Sequence, residues 1–151
     1  MASERIRIGA VGCGVVATAY YFPFIREYEK TELVAVCDSR EARAKESARL
    51  FGASEYYTDY DEMLEKSEID AVFILTGAGP HTTFAVKAAQ AGKHILLQKP
   101  MALTLDEANQ ITTAVREAGV KALVEPSGGT PVQESVRELK QIVDAGALGK
   151  P

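Results

Sequence analysis

The chain has 151 residues, enough for one domain with a substantial core, and its composition of 46% hydrophobic and 25% charged residues is typical of a globular protein. A formal net charge of -4, without any basic block, argues against nucleic acid or a membrane surface as a partner. The two cysteines, Cys13 and Cys37, fit no metal-ligand spacing and cannot form a disulfide framework, so we expect no metal site and a cytoplasmic location.

The first predicted strand, Ile6 to Val11, leads directly into a loop of sequence GCGVVA and then into a predicted helix. In a G-x-G-x-x-A loop the first glycine lets the chain turn sharply, the second leaves room for a phosphate, and the alanine lets helix and strand pack closely. The first-turn amides and the helix dipole favour an anion, although glycine turns also occur here for steric reasons alone. The loop predicts a dinucleotide site that consists of Gly12, Gly14, Val15, Val16 and Ala17.

A second apolar strand, residues 33–37, ends in Asp38, about 24 residues past Gly14 and close to the usual spacing of about 20. At this position a carboxylate accepts hydrogen bonds from the adenosine ribose and repels a 2′-phosphate, which favours NAD over NADP. We include the adjacent Ser39 and Arg40 among the cofactor residues. Arg40 could meet a 2′-phosphate or lie in solvent, so NADP stays open as an alternative.

The rest of the chain alternates between predicted helices and strands. The sequence predicts helix 41–51, strand 56–57, helix 59–66, strand 71–75, helix 81–91, strand 94–97, a helix capped by Thr104, strand 122–124 and a last helix after the turn 128–131. The inner face of the last helix is predicted to be Val132, Val136, Leu139 and Val143.

Strands that are apolar on both faces and alternate with helices indicate a parallel sheet covered on both sides. We therefore predict a doubly wound α/β fold, the three-layer Rossmann fold. Because such sheets bind ligands beyond the carboxyl ends of their strands, we expect residues 12–17, 38, 76–81 and 98–100 to surround one crevice.

The segment 91–100, AGKHILLQKP, resembles the AGKHV-x-x-EKP signature of the Gfo/Idh/MocA family of oxidoreductases. The resemblance runs through the whole chain, from the glycine loop and Pro23 to the T-x-x-x-x-H segment at Thr76 and His81 and the closing G-x-L-G. It implies an NAD(P)-binding domain of a dehydrogenase that transfers hydride to or from a sugar- or polyol-like substrate. It also implies that Thr76, His81 and Gln98 contact the cofactor.

The same resemblance implies that Lys99 is catalytic, because the matching lysine in the family lies beside the nicotinamide and hydrogen-bonds the reacting oxygen. An ammonium group there stabilises a developing negative charge and helps to move a proton. In many relatives the proline that matches Pro100 is cis, which would direct this lysine into the crevice.

The sequence departs from the family pattern at two places that are expected to contact the cofactor. Residues 76–78 read Thr-Gly-Ala where the family has Thr-Pro-Asn, and Gln98 replaces a glutamate. They keep open a second hypothesis, a non-catalytic NAD(P) sensor of the same family. A third, an adenosylmethionine-dependent methyltransferase that uses the glycine loop and Asp38, leaves the Lys99-Pro100 segment unexplained.

Relatives continue for a comparable length into a second domain with the substrate pocket and a catalytic Asp or His. We therefore expect residues 1–151 to be one NAD(P)-binding domain from which the C-terminal substrate domain is absent. This chain alone is expected to be inactive. We expect the full-length protein to be a homo-oligomer that binds a small molecule.

Overall fold

The computed structural model describes residues 5–125, 134–147 and 149, without the side chains of residues 134–136. The strands are β1 Ile6–Val11, β2 Thr31–Cys37, β3 Glu55–Tyr57, β4 Ala71–Ile74, β5 His94–Gln98 and β6 Ala122–Glu125. The helices are α1 Phe22–Glu27, α2 Glu41–Phe51, α3 Tyr60–Lys66, α4 His81–Gln90, α5 Leu105–Ala118 and α6 Glu134–Asp144. The strands form one parallel sheet in the order β3-β2-β1-β4-β5-β6, which confirms the doubly wound fold.

Two hydrophobic cores lie on opposite faces of this sheet, because alternate side chains of each strand point to opposite sides. Val72 and Ile74 of β4 pack with α3, α4 and α5 in one core. Ile8 and Ala10 of β1 pack with α1 and α2 in the other. A helix layer on each face of the sheet gives the predicted three-layer arrangement.

The chain between β1 and α1 contains a π-helical turn, Ala17–Tyr21, in which the Phe22 amide donates to the carbonyl oxygen of Ala17. Helical backbone extends continuously over residues 15–27. The sequence predicted a helix here but not the wider turn, which is a feature often found near functional sites. By contrast, the predicted capping box at the start of α5 is present, with Thr104 and Glu107 each bonding the other's main chain.

The predicted inner face of the last helix is not buried in the structure. Leu139 is 55% exposed and Val143 is half-buried. Val132, the side chain of Val136 and the turn 128–131 lie outside the described residues. Within the described part of the chain, no helix is both long and apolar enough to cross a membrane.

An ion pair joins the start of β1 to the segment before β4. The Asp70 carboxylate accepts hydrogen bonds from the main-chain amide of Arg7 at 2.8 Å and from its guanidinium at 3.0 Å. These bonds hold the pKa of the Asp70 carboxyl below its usual value of 3.8. The guanidinium also contacts the more exposed Glu68 at 3.0 Å.

We expect Asp70→Ala to lower the free energy of unfolding by about 1 kcal/mol at neutral pH, a value discounted for solvent screening. Because the folded pKa lies below the unfolded one, this contribution is present at neutral pH and is lost as the pH falls below about 3.8. Urea unfolding at pH 7 and pH 3 measures it. Glu68→Ala, the matched control, should change stability little, and equal effects of the two variants would contradict the assignment.

Candidate functional site

The glycine loop turns off β1 in a conformation that only its first glycine permits. Gly12 has a φ of +95°, and a Cβ there would lie 2.9 Å from the main-chain carbonyl of Leu75. Its amide donates to the carbonyl oxygen of Cys37 at 2.8 Å, which fixes the loop to the end of β2. Gly12 therefore serves the turn and the close approach of β1 to β4.

The other loop residues divide between the crevice and the core. A Cβ at Gly14 would have no atom within 4 Å, and its φ is not positive, so the space in front of it is open. Val15 is 79% exposed, Val16 is 40% exposed, and Ala17 is fully buried against the core. The small alanine thus lets the helix pack on the sheet while the first turn faces outward.

Asp38 lies beside this loop at the end of β2. One carboxylate oxygen accepts the Cys13 amide at 2.9 Å and the other accepts the Arg40 amide at 2.9 Å. Each oxygen keeps acceptor capacity for a further donor. Ser39 and the Arg40 side chain are exposed just beyond it.

A cavity of about 370 Å³ opens next to Asp38, within the size range of ligand pockets. Gly12, Asp38, Ser39 and Thr76 line it, as the sequence led us to expect. Its walls also include residues that sequence reasoning missed, among them Thr58, Asp59, Tyr60, Asp61, Phe84 and Lys87. The turn after β3 could have been predicted to lie here, because it follows the carboxyl end of a parallel strand.

Lys99 directly follows β5, on the opposite side of the glycine loop from Asp38. Its side chain is exposed, and the Lys99–Pro100 peptide bond is cis. The Lys99 amide donates to Oε1 of Gln98 at 3.0 Å, while Nε2 of Gln98 donates to the Tyr21 hydroxyl at 2.6 Å. Gln98, expected to contact the cofactor, thus also connects Lys99 to the π-helical turn, and Tyr21 is a partner that the sequence did not reveal.

His81 occupies the start of α4 and links the segment after β4 to the segment after β5. Its side chain is fully buried, with Nδ1 2.8 Å from the carbonyl oxygen of Pro100 and Nε2 3.1 Å from that of Thr76. The structure therefore brings together the predicted segments 12–17, 38, 76–81 and 98–100 at the carboxyl edge of the sheet.

Cys13 belongs to the glycine loop and Cys37 ends β2, and both are free and buried. Burial raises the pKa of the Cys13 thiol to about 11 and that of Cys37 to about 12. At neutral pH both are protonated thiols, which are poor nucleophiles. Among the residues that the structure describes, no group of three or more His, Cys, Asp or Glu side chains is placed to hold a metal ion.

Comparison with known proteins gives the family. The model of the Gfo/Idh/MocA proteins, described as an oxidoreductase family with an NAD-binding Rossmann fold, matches residues 6–125. The chain is 31% identical over 148 residues to the scyllo-inositol 2-dehydrogenase (NAD(+)) of Bacillus subtilis, covering 98% of this chain and 43% of that protein. Because the family model matches residues 6–125, which is most of the chain, the chain belongs to this family.

Solved structures agree with the family match. The scyllo-inositol dehydrogenase of Lactobacillus casei with bound NAD(H) and scyllo-inositol has a TM-score of 0.86 and 27% identity, over 97% of this chain and 43% of that one. A 3-ketoreductase from Actinomadura kijaniata in complex with NADP has a TM-score of 0.88 and 28% identity, over 97% and 46%. The chain spans less than half the length of each of these proteins.

Proposed function

We propose, because the chain belongs to the Gfo/Idh/MocA oxidoreductases, that it is the NAD-binding part of a dehydrogenase that acts on a sugar- or polyol-like substrate. The observation that carries this proposal is the position of Lys99. It is exposed and directly follows the carboxyl end of β5, on a turn whose flanking residues are connected to the glycine-loop helix and to the end of β4. The names of the relatives, inositol dehydrogenases among them, support the substrate class.

The residues present fit NAD. The open space at Gly14 leaves room for a pyrophosphate, and the amides of the following helical turn point toward it. The half-buried Asp38 carboxylate, at the cavity of about 370 Å³, can accept ribose hydroxyls. We propose Gly12, Gly14, Val15, Val16, Ala17, Asp38, Ser39 and Thr76 as the residues that hold it, with Arg40 beside the ribose and Gln98 near the nicotinamide. His81 was also expected to contact the cofactor, but its side chain is fully buried and both ring nitrogens face main-chain carbonyl oxygens instead.

When bound, NAD supplies the hydride acceptor. We propose that Lys99 is the residue that acts on the reacting oxygen of the substrate. The amine accepts the hydroxyl proton as the carbon is oxidised, and the ammonium group that this forms stabilises negative charge on the same oxygen. Proton transfer and charge stabilisation both require the amine to lie within hydrogen-bond distance of that oxygen, so Lys99 must be held at a fixed place in the site.

The proposal extends to the rest of the protein. We propose that residues 1–151 form a single NAD-binding domain and that a second domain supplies the substrate pocket and a partner acid or base. On this basis the chain alone has no dehydrogenase activity, and the full-length protein is a cytoplasmic homo-oligomer. The free, buried thiols of Cys13 and Cys37 support the reducing compartment.

The test is NADH formation by the full-length protein with a panel of polyols and sugars. We expect turnover with at least one of them. Turnover with none, together with retained NAD binding, would contradict the enzyme proposal and favour the non-catalytic sensor. Comparing NAD with adenosylmethionine as stabilising ligands in a thermal-shift assay tests the methyltransferase alternative.

We expect the chain to bind NAD more tightly than NADP, because the Asp38 carboxylate accepts ribose hydroxyls and repels a 2′-phosphate. Asp38→Asn should weaken NAD binding by about 1.5–3 kcal/mol and reduce the preference for NAD over NADP. Asparagine keeps one acceptor, but its NH2 group must face the amide of either Cys13 or Arg40, so the loss reports the charge together with one loop hydrogen bond. Calorimetry with both cofactors at fixed salt is the measurement.

Asp106→Asn provides the control, since this acid lies in the first turn of α5 and does not line the cavity. Asp106→Asn should leave the affinity for NAD and the affinity for NADP unchanged. Equal affinity of the unmodified chain for NAD and NADP would overturn the role given to Asp38.

A further inference from the structure

His81 makes an unusual pair of contacts for a histidine in a protein core. Its side chain is 0% exposed, and both ring nitrogens face main-chain carbonyl oxygens, at 2.8 Å for Pro100 and 3.1 Å for Thr76. A neutral imidazole has one N–H, so each tautomer donates to one of these two oxygens and places the other ring nitrogen in contact with the second, and only a doubly protonated ring donates to both. The ring is therefore fixed in place by the two segments that it joins.

Those two segments are the ones on which the proposed chemistry depends. Thr76 follows β4 and touches the glycine loop, since its Cγ2 lies 2.9 Å from the position of a Cβ at Gly12. Pro100 directly follows Lys99. Through one side chain, the main chain next to Lys99 is connected to the loop next to the expected pyrophosphate position.

The rest of the Lys99 turn is anchored independently of His81. Met101 and Ala102 pack against the core cluster that contains Ile111 of α5. On the other side, Gln98 pairs with Glu125 of β6 and donates from Nε2 to the Tyr21 hydroxyl. Loss of the His81 contacts would therefore shift the turn rather than release it.

We propose that His81 is a positioning residue that holds the Lys99–Pro100 main chain against the end of β4 and so sets the place of the Lys99 amine relative to bound NAD. The contact with Pro100 acts on turnover through Lys99. The contact with Thr76 acts on the affinity for NAD through the loop at Gly12. This inference rests on the catalytic role proposed for Lys99.

Two substitutions separate these contacts. An asparagine amide nitrogen can occupy the position of Nδ1, so His81→Asn can donate to the Pro100 carbonyl oxygen but no longer reaches that of Thr76. A glutamine amide nitrogen reaches the position of Nε2, so His81→Gln can donate to the Thr76 carbonyl oxygen but no longer contacts that of Pro100. A role confined to general stability would affect both variants alike.

The experiment measures kcat with a polyol and the Kd for NAD in the full-length protein. We expect His81→Gln to lower kcat about five- to tenfold with NAD affinity retained, and His81→Asn to weaken NAD binding about five- to tenfold with kcat retained. His94→Asn, at the exposed second histidine, is the control and should change neither. Loss of kcat and NAD affinity to the same extent in both His81 variants would overturn the inference.

A double variant distinguishes this inference from the proposed function. If His81 acts through Lys99, His81→Gln should lower kcat no further when Lys99 is already alanine. A further, additive loss overturns the positioning role alone. If Lys99→Ala by itself keeps normal turnover, the catalytic role of Lys99 is wrong and the positioning role of His81 falls with it, whereas an unmodified protein without turnover on any substrate contradicts the proposed function itself.

Discussion

Lys99→Ala in the full-length protein is expected to lower turnover by a factor of about 10² to 10⁴, while NAD affinity stays nearly unchanged. The methyl group of alanine can neither stabilise charge on the substrate oxygen nor carry its proton. Nothing in the glycine loop or at Asp38 depends on this side chain, since it is exposed and its main-chain amide contacts only Gln98 among the hydrogen bonds of the described residues. Steady-state kinetics of NADH formation and calorimetry with NAD measure the two quantities.

Lys99→Arg divides the two roles assigned to the amine. Arginine keeps the positive charge but does not release its proton at accessible pH. If proton transfer dominates, the arginine variant should be nearly as slow as the alanine variant. Substantial recovery would assign the effect to charge stabilisation instead.

An exposed lysine away from the crevice provides the control. Lys45→Ala, in α2, should leave turnover and NAD affinity unchanged. Normal turnover of Lys99→Ala would refute Lys99 as the catalytic amine and assign the proton transfer to another residue. NAD-linked turnover by residues 1–151 alone would refute the proposal that a second domain completes the site.

The features that could be predicted from the sequence are those with local signals. Alternating apolar strands and helices predicted the doubly wound sheet, which the structure confirms. The glycine pattern placed Gly12 at the turn, where a φ of +95° now explains it. The acid after β2 was placed beside the loop, and the Asp38 to Cys13 bond brings it there.

Features that depend on packing between distant elements could not be predicted. The Tyr21 to Gln98 bond and the two carbonyl contacts of His81 join residues whose proximity depends on the orientation of the helices on the sheet. Helical periodicity also predicted Leu139 on the inner face of α6, yet it is 55% exposed. Periodicity identifies the apolar face of a helix but not whether another element covers that face.

Gly14→Val is expected to abolish NAD binding while the chain still folds. The backbone at Gly14 has no positive φ, and a Cβ there meets no atom within 4 Å, so the fold tolerates a side chain. A valine would instead fill the open space in which the pyrophosphate must approach the main chain. Calorimetry should detect no NAD binding, and circular dichroism should show the helix content of the unmodified chain.

Gly12→Ala is the informative contrast, because its Cβ would lie 2.9 Å from the main-chain carbonyl of Leu75 at a φ of +95°. We expect that variant to lose roughly 1–3 kcal/mol of stability from backbone strain and the clash. The two glycines thus separate the structural requirement of the turn from the steric requirement of the ligand. If Gly14→Val unfolds, Gly14 supports the fold and the distinction is wrong. A folded Gly14→Val chain that binds NAD normally would mean that the pyrophosphate does not lie at this loop.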